Sequence, residues 1–118
     1  MKKQVKIDGR ISEVKLVHNP IVVRVNKFTE DAAKKFTADM AQAHNSGQQI
    51  IPIVIDSYGG QVYSLMSMIA DIKSADLPVA TIVEGKAMSC GAVLFTFGAE
   101  GHRYMATDAT AVSYTHLT

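Results

Sequence analysis

Residues Ile50-Ile51-Pro52-Ile53-Val54-Ile55 are apolar at every position, with no alternation. A strand of this kind reads as one buried on both faces, and in a soluble chain that points to a parallel sheet with helices packed against it. Pro52 has no N–H to donate, so the strand is expected to pair late, or on one side only, at that point. Asp56-Ser57-Tyr58-Gly59-Gly60 ends the run. Val62, Leu65, Met66, Ile69 and Ile72 then recur at helical spacing, which predicts an amphipathic helix ending near Ala75. A similar unit precedes this one. Ile21 to Val25 is a β-branched strand, and Thr29 stands at a helix N-cap with Glu30 and Asp31 in the first turn. Ala32, Ala33, Phe36, Met40 and Ala43 give that helix its apolar face, and Gly47 its stop. After the central unit, Leu77 to Val83 reads as a strand, Gly85 as a turn and Met88 to Phe97 as a short apolar helix. Met1 to Asn19 alternates loosely and is expected to hold a short edge strand or two. Strands alternating with helices over short connections predict an α/β fold of repeated strand–helix units with right-handed crossovers.

Composition narrows the functional classes. The 118 residues, 47% of them apolar, suffice for a single domain with its own core and not for two. A net charge of +1 gives no field that would select nucleic acid or an acidic partner. The basic start (Lys2, Lys3, Lys6, Arg10, Lys15) reads as a solvated arm. A single cysteine excludes an internal disulfide framework, and no Cys/His spacing suits zinc. No run approaches the ~20 apolar residues of a membrane span, and the start lacks a secretory leader, so a cytoplasmic protein is expected. The methionines read as core filling.

Two strand-to-helix corners are able to carry chemistry. Gly59-Gly60 allows backbone angles that turn successive N–H groups outward beside a helix start, a natural place for an oxyanion or a phosphate. The plain alternative is a tight turn that needs positive φ. Neither a GxGxxG nor a Gly-Lys-Ser/Thr pattern is present, so nucleotide binding finds no support. The second corner is Gly85-Lys86-Ala87-Met88-Ser89-Cys90-Gly91-Ala92. Ser89 opens a helix and is either a nucleophile or an N-cap. Cys90 is either a rival nucleophile or a small core residue. Lys86 is either a base, as in Ser–Lys enzymes, or an exposed turn residue. In a parallel sheet both corners lie at the carboxyl ends of strands, where ligands collect.

Three segments in register carry a resemblance. Ile53-Val54-Ile55-Asp56-Ser57-Tyr58-Gly59-Gly60 is similar to a strand ending in Asn-Ser-Pro-Gly-Gly, and Ala87-Met88-Ser89-Cys90-Gly91-Ala92 to an Ala-Ser-Met-Gly-Ala turn. Gly98-Ala99-Glu100-Gly101-His102-Arg103 is similar to Gly-Ala-x-Gly-x-Arg. These are the motifs of the Clp protease proteolytic subunit family, ClpP and its phage-type relatives, and the 30 positions from Gly59 to Ser89 match that family without a gap. The likeness runs from about Ile21 to Ala111 and implies a ClpP/crotonase-like fold. It implies that Ser89 is the nucleophile of an ATP-dependent serine endopeptidase, with the backbone N–H groups of Gly60 and Cys90 as oxyanion hole. It further implies peptide or unfolded-protein substrates, a homo-oligomeric ring, an AAA+ unfoldase partner, and no metal or other cofactor in the peptide cleavage. Tyr58 stands where the family has proline, and Cys90 where it has methionine.

The family's histidine falls in register at Tyr114. His116 lies two residues on, about 6–7 Å along a strand, too far for proton transfer unless the register slips. The family's aspartate and ring-pairing helix fall beyond Thr118. Val112 to Thr118 also matches a translated reading frame of a transposon-derived sequencing adapter, so residues 112–118 are expected to be a non-native tail on a single partial domain, 1–118, incomplete at its C-terminus. On this reading the chain as written is inactive or nearly so. Two rival readings are a crotonase-like enzyme acting on a coenzyme A thioester and a non-catalytic ClpP-like ring subunit.

Overall fold

The computed structural model describes residues 2–7, 10–15 and 19–112. Strands β1 (Lys2–Ile7) and β2 (Arg10–Lys15) pair antiparallel from Lys2 opposite Lys15 to Ile7 opposite Arg10. They form a two-stranded sheet of their own and are not strands of the main one.

The main sheet contains β3 (Val23–Val25), β4 (Ile51–Ser57), β5 (Val79–Met88), β6 (Arg103–Met105) and β7 (Thr110–Val112). Its order is β3-β4-β5-β6, every pairing is parallel, and β7 lies on β5 beyond the reach of β6. Helices α1 (Glu30–Asn45), α2 (Val62–Lys73) and α3 (Cys90–Phe95) connect the strands, α1 packing on α2 and α2 on α3. The result is an α/β fold of alternating strand–helix units around a parallel sheet.

Ile51, Ile53 and Ile55 of β4 are fully buried, together with Phe28, Phe36, Met68, Val83 and Leu94. Pro52 and Val54, on the opposite face of β4, are half-buried, so one face of this strand is sealed and the other only partly covered. On that partly covered face Arg24 and Glu84 reach toward each other across Val54 at 3.7 Å. Pro52 stands opposite Ala80 of β5, while pairing with β3 begins one residue later at Ile53, so the missing N–H leaves one side unpaired as expected.

Helix α1 starts where its sequence places it: Thr29 Oγ1 accepts the Ala32 N–H at 3.1 Å, and Ala33, Phe36, Met40 and Ala43 are buried. Helix α2 turns Leu65, Ile69 and Ile72 inward as its apolar spacing predicts, but is rotated so that Met68 and Ser64 join them in place of Val62 and Met66. Ser64, Leu65, Met68 and Ile72 are buried, whereas Val62 and Met66 are 60% and 56% exposed. The entry of the chain decides this. Phe28 bridges to Gly60 and its carbonyl accepts the Gln61 N–H at 2.8 Å, which fixes the rotation of the helix before its first apolar residue. Met66 and Met105 are exposed, so only part of the methionine set fills the core. The turn expected at Gly85 is absent: β5 runs through it to Met88, because β7 supplies partners for Lys86, Ala87 and Met88. Helix α3 is correspondingly shorter than the span from Met88 to Phe97. Among the described residues no helix is long and apolar enough to cross a membrane.

One buried side chain ties the sheet's entry points together. The Gln48 amide oxygen accepts from the Ile21 N–H (2.8 Å) and Ser46 Oγ (2.7 Å), and its nitrogen donates to the Ile21 and Ile50 carbonyls (3.0 and 2.9 Å). Gln48→Ala leaves those backbone groups without their partner, and unfolding in denaturant is expected to show a loss of about 1–3 kcal/mol.

Candidate active site

Strands β4 and β5 end at the same edge of the sheet, and their register shifts just before they end. Up to Ile55 opposite Val83 the partners lie 28 positions apart; from Ser57 opposite Ala87 they lie 30 apart. Asp56 therefore faces a bulge in β5 made by Glu84, Gly85 and Lys86. Its carboxylate occupies the space: Oδ1 accepts from Lys86 Nζ at 2.8 Å and from the Lys86 N–H at 3.3 Å. A Cβ on Gly85 would stand 2.8 Å from that same oxygen, so only glycine leaves the carboxylate its place. Lys86 Nζ also lies 4.5 Å above the centre of the Tyr58 ring.

Ser89 takes the step from β5 into α3 with φ 53° and ψ −115°, the only non-glycine residue at positive φ among those described. Such a conformation costs about 1–3 kcal/mol and persists where the surroundings over-determine it. They do so here. The Ser89 N–H donates to the Val112 carbonyl at 2.8 Å, and the Ser89 carbonyl accepts from the Val93 N–H at 3.2 Å. Ser89 occupies the N-cap position of α3, yet its side chain makes no capping hydrogen bond.

The glycine corner packs directly onto this step. A Cβ on Gly59 would lie 3.0 Å from Ser89 Cβ and 3.5 Å from the Cys90 nitrogen. One on Gly60 would lie 2.6 Å from the Phe28 carbonyl oxygen, and both glycines have positive φ. The Gly59 N–H is held by Ser57 Oγ at 3.0 Å. Cys90 is buried, and its Sγ–H points at the Gly60 carbonyl at 3.5 Å, which accords with a core residue. Among the described residues neither the Gly60 N–H nor the Cys90 N–H donates to another protein group. Gly60 thus meets Ser89 and Cys90, about thirty positions on, at the carboxyl ends of β4 and β5. A sequence model of Clp protease matches residues 8–114. The chain belongs to the Clp protease family.

In this Clp protease domain the remaining candidates separate cleanly. Lys86 is not an exposed turn residue: it lies within β5, and its side chain is only 28% exposed. Its amine is taken up by Asp56, and that hydrogen bond raises its pKa above the usual 10.5 against the opposing effect of burial. His44 is engaged elsewhere, with Nδ1 against the Met40 carbonyl and Nε2 accepting the Asp76 N–H. His102 contacts Tyr104 Oη at 3.3 Å. Tyr114, His116 and His18 lie outside the described residues. A cleft of about 410 Å³ lined by Arg24, Asn26, Lys27, Lys35 and Met68, among others, contains none of the three converging residues.

The Asp56–Lys86–Tyr58 cluster escaped the sequence reading. Its signal was present: Asp56 and Lys86 are separated by the same 30 positions as Gly59 and Ser89. The lysine hydrogen bond lowers the Asp56 pKa below the usual 3.8, again against burial. A depressed carboxylate contributes stability that is present above 3.8 and lost as pH falls through its folded value. A raised lysine contributes stability that is present below 10.5 and lost as pH rises through its folded value. The stability difference between wild type and Lys86→Met is therefore expected to be constant between 3.8 and 10.5 and to shrink outside that window, as measured by denaturation across pH.

Proposed function

We propose that this chain is a subunit of a Clp-type serine endopeptidase in which Ser89 Oγ attacks the scissile carbonyl carbon. The observation that carries this reading is the state of Ser89. A serine at a helix start with a structural role caps an N–H, and this one caps none while holding a strained backbone. Strain of that kind at a sharp strand-to-helix turn is what presents a nucleophile clear of its neighbours. The Gly60 and Cys90 N–H groups are the proposed donors to the tetrahedral oxyanion, each typically contributing about 2.7–4 kcal/mol in the transition state. The serine proton passes to a general base and from it to the leaving amine. Water then attacks the acyl-enzyme and frees the acid. The cleavage itself needs no metal or other cofactor.

Family register puts the base at position 114, where this sequence has tyrosine, so acylation by the sequence as written is expected to be slow. The family further supports peptide or unfolded-protein substrates, assembly into a ring, delivery by an ATP-driven AAA+ unfoldase, and a cytoplasmic setting.

A fluorophosphonate or β-lactone probe applied to the full-length protein tests the assignment. Labelling is expected at Ser89, found by peptide mass, and is lost in Ser89→Ala. Labelling that survives Ser89→Ala overturns the assignment. Rings that neither label nor cleave peptide would identify an assembly subunit, and thioester binding with an unreactive Ser89 a crotonase-like enzyme.

A further inference from the structure

The register of β4 against β5 decides which residues share the corner. With the 28-position pairing of the first part of the strands, Gly59 would stand opposite Ala87 and Gly60 opposite Met88, both within β5. After the shift to 30 positions Gly59 packs against Ser89, and the Cys90 Sγ–H reaches the Gly60 carbonyl. The shift takes place at a single residue of β4, Asp56, against three of β5. A bulge with two surplus residues leaves backbone groups without ladder partners, and something must take them. Asp56 does: its carboxylate accepts the Lys86 N–H, its carbonyl accepts Asn26 Nδ2 at 3.2 Å, and the Lys86 ammonium closes the arrangement over the Tyr58 ring.

We propose that the Asp56–Lys86 ion pair is a register pin: it holds the β5 bulge that aligns Gly59-Gly60 with Ser89-Cys90, and is a positioning pair for the reaction. This rests on the peptidase reading above for its catalytic consequence, though not for its structural one. Neither side chain needs to touch substrate. The pair acts by fixing where the Gly60 N–H stands relative to Ser89, and a misplacement of about 1 Å at such a centre costs about a hundredfold in rate. Tyr58 has a part in the same device, because its ring covers the ammonium and follows Asp56 by two residues.

The test compares wild type, Lys86→Met, Asp56→Asn and Lys86→Arg in the full-length protein by two readouts. The first is the rate of Ser89 phosphonylation by a fluorophosphonate. The pin predicts a fall of about a hundredfold in Lys86→Met, a smaller fall in Asp56→Asn, and recovery in Lys86→Arg, which keeps the ion pair. Peptide turnover is expected to lose kcat with KM little changed. The second readout is amide hydrogen exchange at Lys86 and Gly59, which does not depend on chemistry. Exchange there is expected to rise about tenfold in Lys86→Met while core amides of β4 remain protected. Unchanged exchange in Lys86→Met and Asp56→Asn overturns the pin, as does an unchanged labelling rate in a wild type that labels. A wild type that does not label overturns the peptidase reading instead, and the exchange measurement then decides the pin alone. Should Lys86→Met fail to fold, Asp56→Asn carries both readouts.

Discussion

Parallel pairing of β4 with β5 places the two strand ends, and the two helix starts that follow them, at one edge of the sheet. Everything proposed for the site depends on that pairing and on how it ends. Parallel neighbours share direction, so residues 30 positions apart in sequence can touch without any long loop between them. The contact between Gly59 and Ser89 is the closest expression of this, and it tolerates no side chain at position 59 without movement of Ser89 or Met88. A nucleophile corner and a backbone-donor corner are built from consecutive units of the same strand–helix pattern.

The strain at Ser89 has to be held by its surroundings, and the magnitudes show that it can be. A residue in that conformation costs about 1–3 kcal/mol. Full burial of one leucine-sized side chain contributes about 1.5–3 kcal/mol, and Leu94, one turn into α3, is completely buried. Cys90, Ala92 and Ala87 are buried on either side of the step. The hydrogen bond from Ser89 N–H to Val112 fixes the remaining backbone freedom. Ser89 is thus held between a strand and a helix that are both anchored in the core.

Much of this could be read in the residues before the fold was seen, and for physical reasons. The Thr29 cap, the α1 face and the one-sided pairing at Pro52 are local properties that a few neighbouring residues dictate. The pairing of Ser89 with Gly60 and Cys90 comes from the resemblance to the Clp protease motifs, since neither corner by itself names the other. The exact rotation of α2 was not legible: Leu65, Ile69 and Ile72 face the core as expected, but Val62 and Met66 do not, because apolar spacing specifies a stripe and not the angle at which the chain enters. That angle is set by Phe28, more than thirty residues upstream of Leu65. Gly85 reads as a turn in the sequence because glycine breaks strands in isolation. Here its missing Cβ admits the carboxylate of Asp56 from the neighbouring strand. Lys86 looked exposed for the same reason: its partner comes from the other corner.

The central claim is that Gly59-Gly60 and Ser89-Cys90 form one site for a developing oxyanion. The most direct measurement is a crystal structure of the full-length protein carrying a peptide phosphonate on Ser89. The account predicts a covalent bond from Ser89 Oγ to phosphorus, with one phosphonyl oxygen about 2.7–3.1 Å from both the Gly60 and Cys90 nitrogens. A phosphonyl oxygen turned to solvent, or held by other groups while those two N–H groups stay unengaged, would contradict it.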